Sequence, residues 1–446
     1  MSRVFSGVAD SRLTLRNIAA LAGVSAIVAI LATRAPGVAL VSLAVLVGIA
    51  LALTRLLSAF LLLFSPWLVL FPRLPEPFAR LDLIAFAVLA GGFVCLLDPG
   101  SWTRTGRRLL GLGALFFAVT LASALIHFRS LSTSLKHPVL LMIYLSFFAI
   151  GEREGRAGGE PRLTRAVSLH LFTVGTVAAA VLMMVVARAG GLGFELEQRI
   201  EINPALSGGF LGTYIAGGLI LCLARLDRRG ARGPELLTLF VLGLALLATF
   251  ARSGWILAAV GCLVILWRRS RPLALAALTF LALAAATVAP LRERVLDQVV
   301  PGRAYNTIFL RMPIWQDAWR LWRAAPVLGT GPGNFYFLTS ATAVRETGAD
   351  YIGSVHNNYL EVLVDSGLIG LGVFFCWLVV ALRALTRQER RLRLGLLPWG
   401  LGLAVAALFG DFLIAAPQNN GFATVHLSGL FWLLTGMAAS AGEAAK

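Results

Sequence analysis

RMPIWQDAWRLWRAAPVLGTGPGNF (residues 311–335) and, after a polar run, SVHNNYLEVLVDSGLIG (354–370) decide how this chain is organised. They lie in and just beyond the one long polar segment, about residues 291–355, of an otherwise apolar sequence. Polar and ionisable groups are costly in hydrocarbon and tend to mark function there. A chain that gathers them in one segment is expected to carry its site in that segment.

The surrounding composition sets the class. The 446 residues are 58% hydrophobic and only 14% charged, with a mean hydropathy of +0.82, whereas a soluble domain carries about 25% charged residues. An all-α polytopic membrane protein is indicated. The formal net charge of +17 invites a nucleic-acid partner, but the arginines cluster in short loops between apolar runs, where the positive-inside rule puts them. No nucleic acid is expected. Membrane lipids are, because basic loops suit anionic headgroups and pyrophosphate-bearing lipids. Cys95, Cys222, Cys262 and Cys376 lie in or at the end of apolar runs, at spacings that fit no metal framework.

Windows long enough to span, roughly 20 apolar residues, fit the chain about 12 to 14 times. Five Arg-rich loops, at 103–108, 151–165, 224–233, 267–271 and 383–395, fall on one side when the spans alternate, and that side is cytoplasmic. Both termini are then cytoplasmic. The basic start MSRVFSGVADSRLTLRN leads into an uncleaved first span, since no small-residue cleavage site follows it. Segment 291–355 falls outside. Three regions result: a transmembrane bundle over 1–290, the outer insertion over 291–355, and C-terminal transmembrane helices over 356–446.

Within the insertion, Arg311–Arg323 has the pattern of an amphipathic helix lying at the membrane surface. Pro313 suits its first turn, and Trp315, Trp319 and Trp322 share a face at i, i+4, i+7, as interfacial anchors. PVLGTGPGNF (326–335) lacks the Lys-Ser/Thr of a nucleotide loop; a tight turn returning the chain to the membrane is expected. His356 starts the next span, where a helix N-terminus favours the neutral imidazole. Asn357 and Asn358 follow it and could orient a polar ligand. Glu361 and Asp365 stand i, i+4 from each other, and an arginine is the expected partner of Asp365. Two further arginines face the same side: Arg252 in TFARSGW, and Arg199 in EQRIEINPALSGGFLGTY. With Arg311 they could hold a phosphate-bearing ligand, which a guanidinium fork suits. No outer loop carries a metal-binding cluster or a nucleophile elbow, so neither a metal nor another cofactor is expected.

These motifs, TFARSGW, the 311–334 run with PVLGTGPGNF, and HNNYLEVLVDSGLIG, resemble those of the O-antigen ligase/polymerase superfamily, in that family's order. INPALSGGFLGTY is similar to its weaker Asn-Pro segment. One departure is ARSG where Ser-Arg-Gly is common, which moves the hydroxyl past the arginine. The resemblance implies a GT-C-like inner-membrane protein of a Gram-negative bacterium, with about 12 helices and a helical periplasmic insertion before the last three. It implies metal-independent, inverting glycosyl transfer from an undecaprenyl-diphosphate-linked glycan, with lipid A–core as the acceptor in a ligase. Carried over by residue, His356 is the base, Arg252 and Arg311 hold the diphosphate, and Arg199 is a weaker third. A polymerase joining repeat units is the alternative within the family. A lipid-linked sugar transporter is the alternative outside it; such a protein keeps polar sites near the midplane on broken helices, and Asp365 and Asp411 are the residues that would test it.

Overall fold

The computed structural model describes residues 36–64, 83–98, 102–189, 208–230, 233–249, 251–287, 307–339, 354–414 and 423–442, with Trp67, Arg292, Glu293 and Leu296 between them. Regular structure among the described residues is helical. In order these are α1 (Pro36–Leu53), α2 (Leu57–Phe64), α3 (Leu83–Leu96), α4 (Arg104–Ile126), α5 (Leu131–Ser134), α6 (Lys136–Ala189) and α7 (Gly208–Arg229). There follow α8 (Gly233–Ala248), α9 (Arg252–Arg269), α10 (Arg271–Thr287), α11 (Thr307–Ala324), α12 (Phe335–Leu338), α13 (Asn358–Leu392), α14 (Leu396–Ala406) and α15 (Ala423–Ala441).

Four described helical stretches are long and apolar enough to cross a membrane: Arg104–Ile126, Lys136–Val186, Phe210–Arg228 and Asn358–Leu392. A fifth arises if α1 and α2, bent by 120° at their junction, form one broken span. Other sequence windows become shorter apolar helices such as Leu83–Leu96 and Gly233–Ala248; short stretches are accommodated by local thinning or snorkelling ends. The chain is a helical membrane protein.

The 54-residue run of α6 is interrupted at Gly159 (φ 56°, ψ −151°), with Pro161 just beyond. An unbroken helix of that length would reach about 80 Å, more than twice the roughly 30 Å of hydrocarbon. Backbone in this region is essentially confined to glycine, so the residue sets the place of the break. The segment 151–165, expected as a loop, is helical on both sides of it. Two of its acids are buried against arginines, Glu152 with Arg156 (2.7 Å) and Glu154 with Arg162, while Arg153 reaches Asp98 (2.8 Å).

Close backbone approach through small residues holds the helices together, as is usual in membranes. α15 lies on the first half of α6, where a Cβ on Gly151 would come 2.0 Å from the Leu433 carbonyl. α7 meets α9 at Gly212 and Gly254, and α14 meets α9 where Gly402 faces the Leu257 carbonyl. Trp377 of α13 stacks on Trp432 of α15 at 3.9 Å between centroids.

α13 is itself broken, at Gly367 (φ 64°, ψ −164°). A break leaves carbonyls above it and N–H groups below it without helical partners, and hydrocarbon supplies none. The segment 326–331 fills the gap. Thr330 and Gly331 donate to the Val364 and Asp365 carbonyls (2.7 and 3.3 Å), while Leu368 and Ile369 donate to Pro326 and Val327 (2.9 and 3.3 Å). Ser123 of α4 lies 2.7 Å from both the Leu328 and Asp365 carbonyls, and Asn334 donates to His127 and Thr330 carbonyls (2.9 and 2.8 Å). PVLGTGPGNF is therefore more than a turn: it is the insert that completes a broken span. Asp365 finds His137 of α6, at 3.0 Å and fully buried, where an arginine was expected; the break brings it against the start of α6.

Candidate active site

α11 begins at Thr307, so Pro313 lies inside the helix, not in its first turn. The helix packs on the first half of α13 through a small core of Ile314, Ala318, Leu321, Phe335, Val355 and Val364. Trp315 does more than anchor at an interface: its indole N–H donates to the Val355 carbonyl at 3.0 Å, tying α11 to the residue before His356. Trp319 remains exposed, its ring 4.5 Å from that of Trp322.

Segment 354–357 is clamped from several directions. Asn357 caps α13, its Oδ1 accepting from the Tyr359 and Leu360 N–H groups (3.0 and 3.1 Å). Glu361, buried one turn in, accepts the Val355 N–H (2.7 Å). Asn358 holds the stretch after α14, accepting from Leu413 N–H (2.8 Å) and donating to the Ile414 carbonyl (2.6 Å). The Asn357 and Asn358 atoms, expected to orient a ligand, are thus committed to backbone around His356, as is one oxygen of Glu361.

His356 itself takes a left-handed backbone, φ 54°, uncommon for a residue with a side chain and concentrated at functional sites. Its N–H donates to Ser354 Oγ at 3.1 Å, and its Nδ1 lies 3.3 Å from the same oxygen. The Ser354 hydroxyl donates to Asp411 Oδ2 at 2.8 Å. A hydroxyl has one proton to give. With that proton on the path to Asp411, Ser354 can only accept from the imidazole, which puts hydrogen on Nδ1 and makes Nε2 the basic nitrogen. Ser354 and Asp411 are both buried.

Arg311 joins this cluster from α11. Its Nη1 donates to the Phe409 carbonyl at 2.8 Å, two residues before Asp411, and its charge acts on the Asp411 carboxyl. Arg252 is the first residue of α9. α7 links the two regions: Gly212 lies against Ala251, next to Arg252, and Phe210 packs on Phe412, next to Asp411, at 5.2 Å between ring centroids, so Arg252 and Asp411 stand at the same end of the bundle. Ser253 beside it accepts from Thr213 of α7 at 3.3 Å, so the displaced hydroxyl of ARSG joins two helices. Arg199 lies outside the described residues. An open, mostly apolar cleft of about 610 Å³ borders Asn357, between Trp315, Trp319 and Met312 of α11 and Leu363 and Phe375 of α13.

Ser354 and the linking role of Asp411 were missed from sequence. The Ser-x-His spacing was visible, but the partner acid is 55 positions from His356 (411 − 356), and only the fold joins them.

A comparison with curated proteins returns no match. Residues 237–375 match the family model described as O-Antigen ligase, a span that runs from α8 into the second half of α13 and takes in Arg252, Arg311, the insert at 326–334 and His356. Over that segment the chain is similar to the O-antigen ligase superfamily.

Proposed function

We propose that the protein is an O-antigen ligase, which transfers an undecaprenyl-diphosphate-linked polysaccharide to lipid A–core on the periplasmic face of a Gram-negative inner membrane, in a GT-C-like bundle of about 12 spans. The observation that carries this is the chain Asp411–Ser354–His356, with Arg311 bonded to the Phe409 carbonyl beside it; Arg311 and His356 lie inside the matched segment. The acceptor hydroxyl attacks the anomeric carbon and its proton passes to His356 Nε2. The bond from that carbon to the diphosphate oxygen breaks, undecaprenyl diphosphate leaves, and one in-line displacement inverts the centre. Ser354 and Asp411 hold the imidazole in the tautomer that can accept the proton and stabilise the imidazolium that results. Arg311 and Arg252, with Arg199 as a third, oppose the charge that develops on the leaving diphosphate, and a fixed guanidinium can do there what a divalent ion does elsewhere. The cleft beside Asn357 offers an apolar surface to a lipid substrate. The break in α13 does not argue for transport, since the chain's own insert occupies it.

The test is a lipopolysaccharide gel from a deletion strain complemented with wild type or His356→Ala. Bare core with accumulating lipid-linked long chains in the variant is the result expected. Core bearing a single repeat unit would identify a polymerase, and an unchanged ladder would overturn glycosyl transfer by this residue.

A further inference from the structure

The end of the bundle remote from His356 carries a second cluster of guanidinium groups. α13 runs 35 residues from Asn358, about 50 Å of helix, and is capped by Arg393, whose backbone is left-handed (φ 47°). Arg393 lines a notch with Arg225 and Arg228 from the last turns of α7 and Ser168 from the second half of α6, over a floor that includes Leu171 and Leu221. Its volume is about 20 Å³, room for a phosphate oxygen and not for a nucleotide or a sugar.

The charge in this notch is only partly balanced. Arg225 donates Nη1 to Ser168 Oγ at 3.2 Å, and its Nε stands 3.5 Å from Glu235. Neighbouring arginines are matched with acids: Arg269 with Asp227 (3.1 Å), Arg268 with Glu389 (3.6 Å) and Arg391 with Glu160 (3.0 Å). Among the described residues, the side chains of Arg228 and Arg393 have no carboxylate partner. Three guanidiniums against one carboxylate leave a positive site at helix ends, above an apolar floor. Basic pockets between transmembrane helices bind lipid headgroups in this setting, and the guanidinium fork matches phosphate oxygens.

We propose that this notch binds phosphodiester oxygens of a phospholipid of net negative charge in the leaflet opposite His356, its guanidiniums disfavouring a zwitterionic headgroup whose cation would sit beside them. Arg393 is held in place by its cap, so Arg393→Gly removes the guanidinium while suiting the backbone conformation better.

The experiment is thermal unfolding of the purified full chain in mixed micelles of detergent with phosphatidylglycerol or with phosphatidylcholine. Phosphatidylglycerol is expected to raise the midpoint of the wild type by about 3 °C over phosphatidylcholine. The double variant Arg228→Gln/Arg393→Gly should lose that increment while keeping the wild-type midpoint in phosphatidylcholine. Arg228→Gln alone should lose part of it, which keeps the test decisive if the double variant folds poorly. Equal midpoints of the wild type in both lipids, or an undiminished increment in the variants, would overturn the site. An increment reproduced by inorganic phosphate in phosphatidylcholine micelles would overturn the lipid as its ligand.

Discussion

Replacing Gly367 by alanine tests whether the insert and the broken span form one unit. A Cβ there would lie 2.2 Å from the Val327 carbonyl oxygen and 2.3 Å from its carbon, both main-chain atoms that cannot swing aside. The backbone at φ 64°, ψ −164° costs an alanine about 1–3 kcal/mol. Relieving the clash by moving the insert would break the Leu368–Pro326 and Ile369–Val327 bonds, each worth about 1 kcal/mol net. The sum is about 3–5 kcal/mol. Gly372, five residues further along the same helix, has nothing within 4 Å of an added Cβ, so Gly372→Ala is expected to be neutral or slightly stabilising. Thermal unfolding of the two purified variants in one detergent measures the contrast, and hydrogen exchange at 326–331 reports the insert directly. If Gly367→Ala unfolded at the wild-type midpoint with the insert still protected, the coupling described above would be refuted.

The remaining predictions concern the site and its supports. His356→Ala is expected to cut transfer by about 100-fold or more, and Ser354→Ala to lower kcat with little change in KM, because it disturbs the base and not the donor; wild-type kcat in Ser354→Ala would remove the relay from the mechanism. Arg311→Lys should be nearly as damaging as Arg311→Ala, since an ammonium cannot reproduce the fork, and unaltered kinetics in the lysine variant would count against diphosphate binding. Removing His137 or Asp365 alone should cost about 3–5 kcal/mol by stranding the other group in the interior, while His137→Leu/Asp365→Leu should cost less than either; additive losses in thermal unfolding would contradict the pairing. EDTA is expected to leave transfer unchanged, and inhibition reversed by a divalent ion would overturn metal-free chemistry.

What could be seen in the sequence, and what could not, follows from the range of the interactions. Apolar spacing is local, so the helical membrane class, the amphipathic run near 311–323 and the span beginning beside His356 were legible. Pro313 misled about where α11 starts, because a proline signals a first turn but tertiary packing of Ile314 and Ala318 can hold a helix through it. The Gly-rich run 326–334 announced a turn; that it pairs with residues 364–369 depends on a break that one glycine, Gly367, marks only weakly. His137 opposite Asp365 could not be foreseen at all, since 228 positions separate them. Asn357, Asn358 and Glu361 were conspicuous for their polarity, yet their atoms are spent on backbone groups that only the folded chain brings near.

The stitched break in α13 also bears on how such a protein can be cut and recombined. A boundary drawn between residues 355 and 356 parts two segments that share main-chain bonds on both sides of Gly367. Chimeras that exchange only the segment up to residue 355 between relatives would carry the plug without its socket, or the socket without its plug. The smallest piece that can be transplanted whole is then the run from Thr307 through the start of the second half-helix, and specificity engineering in this protein would have to treat that run as a single part.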